Sequence, residues 1–205
     1  MPKNNDYPIE DKFIIKDLDT LKKLTNPQRI EILQSLTQPK TVKEIAEEIE
    51  ADPTKLYYHI RQMEQIKAIQ VVETNIVSGI VEKTYAVTAK EYIVDKTLFS
   101  GEDTEFSEDD FSDMVNAIFS STQKMAARAA KAGLINLNEE GPKRTTAIMS
   151  GHFQLTEEQL EKFGTKMQEI MTEFGEYSEA NQNSENTVGY RYTIAFFPQP
   201  PADSD

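Results

Sequence analysis

The sequence predicts an α+β protein in two parts, and three observations carry that reading. Between residues 18 and 65, apolar residues recur at helical spacing in short runs, each opened by a capping residue or a proline. Between residues 68 and 87 the pattern changes to β-branched, partly alternating runs around a Ser-Gly turn. Near residue 90 the charge changes. Residues 18–90 hold ten basic and ten acidic side chains, whereas residues 91–205 hold nine basic and twenty-one acidic ones. Almost all of the net charge of −13 therefore belongs to the C-terminal part. The expected domains are a neutral one over residues 12–90 and an acidic one over residues 91–205.

At 205 residues the chain is long enough for two small domains of roughly 100 residues each. Ten Phe and eight Tyr can fill a core. No run approaches the ~18 consecutive apolar residues that a membrane span needs, and residues 1–11 are too polar for a secretory signal. The absence of cysteine excludes disulfides, thiolate metal sites and thiol nucleophiles. A cytoplasmic protein without membrane contact is expected.

The N-terminal elements follow from local chemistry. Leu18, Leu21 and Leu24 mark a short amphipathic helix. Asn26 can cap the next helix, with Pro27 in its first turn and Ile30, Leu33 and Leu36 along it; Pro39 ends the segment. Thr41 and Glu44 form a capping box, in which hydroxyl and carboxylate satisfy free amides at a helix start. That helix turns Ile45, Ala46 and Ile49 inward. After a break at Glu50 and Ala51, Asp52 and Pro53 open a further helix with Leu56, Ile60 and Met63 on one face. Two short helices across a tight turn make a helix-turn-helix. Residues 68–74 and 80–87 then read as a hairpin through Ser78 and Gly79. Three helices followed by a hairpin are the parts of a winged helix.

The second helix of such a motif enters the major groove. With Leu56, Ile60 and Met63 turned inward, Thr54, Lys55, Tyr57, Tyr58, Arg61 and Gln62 are the candidate contacts to double-stranded DNA. Arg suits guanine and Gln suits adenine, and Lys55 and Thr41 suit phosphates. Lys83 is the only cation of the hairpin, and the expected tip has none, so the wing is a weak candidate. His59 sits beside the buried face and reads as a structural residue before a ligand or base. Arg29 reads as either structural or phosphate-contacting.

Leu24, Asn26, Pro27, Arg29 and Leu33, the Thr41–Glu44 box, the Leu56, His59, Ile60 and Met63 pattern, and Tyr85 to Thr88 together resemble the ArsR-type winged-helix transcription regulators. The resemblance covers about residues 12–90. It implies a dimeric, sequence-specific DNA-binding regulator. The cysteine metal site of the founding metal sensors is absent, so thiolate metal sensing is not expected here.

The C-terminal part begins with an acidic stretch, residues 100–110, which lacks the spacing of a calcium loop and reads as a linker. From Phe111 a long linking helix carries Phe111, Val115, Ile118, Thr122, Met125, Ala129 and Ala132 at a mean spacing close to 3.5. Residues 111–132 are therefore the expected homodimer helix, or else an intrachain packing face, and Gly133 is a plausible C-cap. Residues 145–155 alternate as a strand. Thr156 and Gln159 form a second capping box, with Leu155 and Leu160 placed as a hydrophobic staple. Leu160, Phe163, Met167, Ile170, Met171 and Phe174 trace an amphipathic helix. Residues 175–186 read as a polar loop and residues 187–197 as a second strand. A strand–helix–strand unit with parallel strands follows, loosely similar to the extensions of some ArsR-like regulators. His152, Phe153, Tyr190, Arg191 and Tyr192 are its candidate small-molecule effector residues, or else polar edges of a core.

No Gly-rich phosphate loop, Gly-x-Ser-x-Gly or His-Glu-x-x-His occurs. No catalytic residue, metal ligand or cofactor is expected. A winged-helix protein–protein interaction module without specific DNA binding is the alternative function.

Overall fold

A computed structural model describes residues 7–77, 79–100, 106–135, 146–181, 184 and 187–198. The described elements run β1 (Glu10–Ile15), α1 (Leu18–Leu24), α2 (Pro27–Ser35), β2 (Lys40–Thr41), α3 (Val42–Glu48), α4 (Pro53–Gln65), β3 (Ile69–Val77), β4 (Ile80–Val87), β5 (Ala89–Val94), α5 (Thr97–Ser100), α6 (Glu108–Lys131) and α7 (Glu157–Ala180). The fold is α+β, with an N-terminal winged helix-turn-helix and a long helix behind it.

The local signals act where they were expected. Asn26 accepts from the amides of Gln28 and Arg29, and Asp52 from that of Thr54. Thr41 and Glu44 complete their box at the start of α3. α1 to α4 converge on one core, in which Ile32, Ile45, Leu56, Ile60, Met63 and Ile69 are fully buried. Each such side chain contributes about 1.5–3 kcal/mol on leaving water.

β3 and β4 pair antiparallel from Ile69↔Val87 out to Val77↔Ile80, with a bulge between Val71 and Glu73. Gly79, just before β4, stands at φ 80, a conformation that a residue without Cβ adopts at little cost. β2 adds a short third strand through Lys40↔Tyr85.

A second sheet was not foreseen. β1 pairs parallel to β5, from Glu10↔Ala89 to Ile15↔Val94. The helices and wing between them act as the long crossover that parallel pairing requires. Phe13 and Tyr92 meet across it at 5.4 Å, and the Tyr92 hydroxyl donates to the Ala68 carbonyl.

The chain forms two compact units, which part at Ala132 and Gly133 rather than at the charge step near residue 90. The reason is α6, which packs on α2 along Met114, Ala117 and Ser121. Its ties run the length of the helix. Ser107 caps its start in a capping box with Asp110, and the Asp110 carboxylate pairs with Lys22 at 2.8 Å. Ser121 donates to Gln34 at 2.8 Å, and Arg128 reaches Glu31 at 2.7 Å. The expected dimer seam lies beside this face. Phe111 is exposed, and Val115, Ile118, Thr122, Met125 and Ala129 are half-buried.

In the C-terminal unit α7 forms as expected from its capping box at Thr156 and Gln159. It runs past Gly175 to Ala180, so the polar loop begins later than the composition suggests. One helical Gly costs only about 1 kcal/mol, and the Tyr177 hydroxyl bonds Glu173 one turn back at 2.8 Å. The two expected strands are corrected. Neither residues 146–155 nor residues 187–198 are strand among the described residues. Alternation favours extended backbone, but a strand exists only where a neighbour takes up its amides and carbonyls. Instead, aromatic rings join the segments to α7: Phe153 lies 6.1 Å from Phe163, which stacks on Phe196 at 4.6 Å.

Candidate nucleic-acid interface

α4 is anchored by one face and offers the other. Leu56, Ile60 and Met63 are each 2% exposed or less, which fixes the rotation of the helix. Thr54, Tyr57, Tyr58 and Arg61 then share the outer face, one and two turns apart. All four are exposed, with Tyr57 at 55% and Tyr58 at 63%. Lys55, exposed, and Gln62, half-buried, flank this face. Residues 53–63 contain no carboxylate, so nothing on this stretch repels phosphate. The surface offers one guanidinium, one ammonium, one amide and three hydroxyls, a donor set suited to base edges and backbone oxygens.

Two other predicted contacts are already engaged. The Thr41 hydroxyl accepts from the Glu44 amide at 3.3 Å and donates to its carboxylate at 2.9 Å. The Thr41 amide donates to the same carboxylate at 2.7 Å and, as the largest cause, holds the Glu44 pKa below its ordinary value. A phosphate at this helix start would meet an ionised carboxylate. Lys83 lies 3.7 Å from Glu64, so the single cation of the hairpin faces α4. The far end of the hairpin is apolar and exposed, with Ile76 at 77%, Ile80 at 71% and Val81 at 60%.

The ambiguity at Arg29 resolves towards structure. It is 9% exposed, and its guanidinium donates to the carbonyls of Lys22 and Lys23. A cation thereby closes the last turn of α1. His59 packs edge-on against Tyr58 at 5.4 Å, and its buried Nδ1 has no hydrogen-bond partner. Burial, and secondarily the charge of Arg29, pull its pKa below the ordinary histidine value.

The C-terminal candidates lie at the surface. His152, Phe153, Tyr190, Arg191 and Tyr192 are all exposed. Of the five, Phe153 takes part in the ring stack, together with Phe163 and Phe196, which were not nominated. No group of three His, Asp or Glu among the described residues could hold a metal ion, and no helix there is long and apolar enough to cross a membrane.

Sequence reasoning missed Glu31, Lys124 and Arg128. Glu31 is 2% exposed, and Lys124 and Arg128 reach its two oxygens at 3.0 and 2.7 Å. No local signal announces a pair almost a hundred residues apart, although a carboxylate between two isoleucines hints at burial.

Residues 24–72 match the family model of a helix-turn-helix domain. The match runs from the end of α1 through the anchored and exposed faces of α4 into β3. No curated protein matches the chain. A helix-turn-helix with an exposed, acid-free second helix is the equipment of a DNA-binding regulator.

Proposed function

We propose that this protein is a dimeric transcription regulator that reads double-stranded DNA with α4. The observation that carries the reading is the outer face of that helix, where Thr54, Tyr57, Tyr58 and Arg61 are exposed together and no carboxylate intervenes. Arg61 and Gln62 are assigned to base edges, Lys55 to a phosphate, and the tyrosines to either. The half-covered stripe of α6 from Phe111 to Ala129 is assigned to a second copy. A two-fold dimer would place two recognition helices about 34 Å apart, one turn of DNA. The pattern of residues 24–88 and the missing cysteines favour an ArsR-like regulator that does not sense metals through thiolates.

Selection of genomic fragments on the purified chain, followed by footprinting, tests this reading. A protected inverted repeat is expected. Arg61→Ala should weaken specific binding by about 1–3 kcal/mol while the dimer persists. A footprint without symmetry, or a dimer lost with Arg61→Ala, would overturn the assigned roles.

The wing tip favours a second reading. Ile76, Ile80 and Val81 are exposed on a hairpin whose one cation faces α4, which suits a protein surface better than a phosphate backbone. On that reading the domain is a protein-interaction module, and no duplex would be enriched with a salt-dependent affinity.

A further inference from the structure

A concavity of about 510 Å³ lies between α2, α4 and the C-terminal half of α6. Four cations line it: Lys55 from α4, and Lys124, Arg128 and Lys131 from α6. Its carboxylates are Glu31, Glu50 and Asp52, so the lining is net positive within a chain of charge −13. The donors are not used up. Lys55 makes no ion pair among the described residues. Lys124 and Lys131 each meet one carboxylate, with side chains 51% and 74% exposed, and an ammonium carries three donors. Among the lining residues, the buried Nδ1 of His59 lacks a hydrogen bond, and Glu31 is a counter-charge whose Oε1 already meets Lys124 at 3.0 Å. A concave site with a few charged and polar groups on its walls is the usual form of a small-molecule pocket.

The same side chains hold the helix-turn-helix turn. Arg128 donates to the Ile49 carbonyl at 2.9 Å, and Lys131 reaches Glu50 at 3.0 Å. Glu50 stands at φ 52, a left-handed conformation that costs a non-glycine residue about 1 kcal/mol or more. The turn that aims α4 is therefore held from α6 by two cations that also face the concavity.

We propose that this concavity binds a small organic anion, carrying a carboxylate or a phosphate monoester, and that the anion alters DNA binding by competing for the cations that hold the turn. The regulatory half rests on the DNA-binding reading above; the site itself does not. DNA phosphate shares the chemistry, and Lys55 could serve either, so the titrations include duplex DNA to separate the two sources.

The chain carries two histidines, His59 at the concavity and His152 in the other unit, so imidazole NMR supplies a probe and an internal control. Inorganic phosphate and citrate are titrated into the full-length protein at constant ionic strength. At least one should shift the His59 resonances saturably and leave His152 unmoved. Lys55→Gln and Lys131→Gln should each weaken that response about tenfold, the loss of a charge-assisted hydrogen bond. Equal shifts at both histidines, no shift with either anion, or a response indifferent to both variants would overturn the site. A His59 shift produced by duplex DNA and by neither anion would assign the cations to the DNA backbone instead. Anion binding that leaves the affinity for a footprinted duplex unchanged would overturn the regulatory role. Anion binding with no duplex affinity at all would uphold the site and sink the DNA-binding reading alone.

Discussion

α6 and α7 are two helices of equal length with opposite fates. Each spans 24 residues, begins with a complete capping box and carries an apolar stripe. Yet α6 buries Ala117 and Ser121, and α7 buries no residue. Caps and periodicity decide that a helix forms and which face is apolar. Whether that face leaves water depends on a partner presenting a matching groove. α6 has α2, with Gln34 facing Ser121 and Glu31 facing Arg128. Around α7 the described chain shows the rings of Phe153 and Phe196 and no strand or second helix packed along it.

The largest expected effect breaks the α6 side of this comparison. Glu31→Ala leaves Arg128 beside α2 without its carboxylate and should cost the N-terminal unit about 3–5 kcal/mol, read by urea denaturation. A cost below ~1 kcal/mol would mean that α6 is held without the Glu31 pair, by its packing and its other ties. Next, Ile60→Ala should cost about 2–5 kcal/mol in the packed core. Phe174→Ala, at a side chain 62% exposed, should change stability by no more than about 0.5 kcal/mol. A large loss at Phe174 would show that α7 is covered in solution.

Smaller effects sharpen the contrast. Ser107→Ala and Thr156→Ala remove equivalent caps, each worth about 1 kcal/mol. In α6 the loss should appear as global stability, because the helix is tied to α1 and α2. In α7 it should appear as local fraying, with faster amide exchange in the first turn and an unchanged denaturation midpoint for the N-terminal unit. The smallest effect is on pH dependence. Lys22, and then the Ser107 amide, hold the Asp110 pKa at about 2. A carboxylate depressed in the folded state contributes stability above its unfolded pKa of about 4, and loses it as pH falls towards 2. Asp110→Asn should flatten that part of the profile. Asp17, Glu44 and Asp95 are depressed as well, so the difference between the two profiles isolates Asp110.

Much of the candidate interface was legible because its signals are local. Asp52 and Pro53 start α4, and the spacing of Leu56, Ile60 and Met63 sets which residues remain outside. Thr54, Tyr57, Tyr58 and Arg61 follow by subtraction. Thr41 was legible twice, as a cap and as a phosphate contact; the structure shows its hydroxyl engaged in the capping box. The cationic concavity was not legible, since Lys55 and Lys131 lie in segments that read separately as a recognition helix and a dimer helix.

By itself the sequence determined the helices α1 to α4, α6 and α7, the caps of α2, α3, α4 and α7, the inward face of α4 and the hairpin turn. Each of these depends on residues within about one turn of one another, where backbone geometry leaves few alternatives. Only the tertiary structure decided that β1 pairs with β5, that α6 joins the N-terminal unit, and that residues 146–155 and 187–198 are not strands. Pairing and burial are properties of two surfaces at once, and the second surface lies too far along the chain for local pattern to name it.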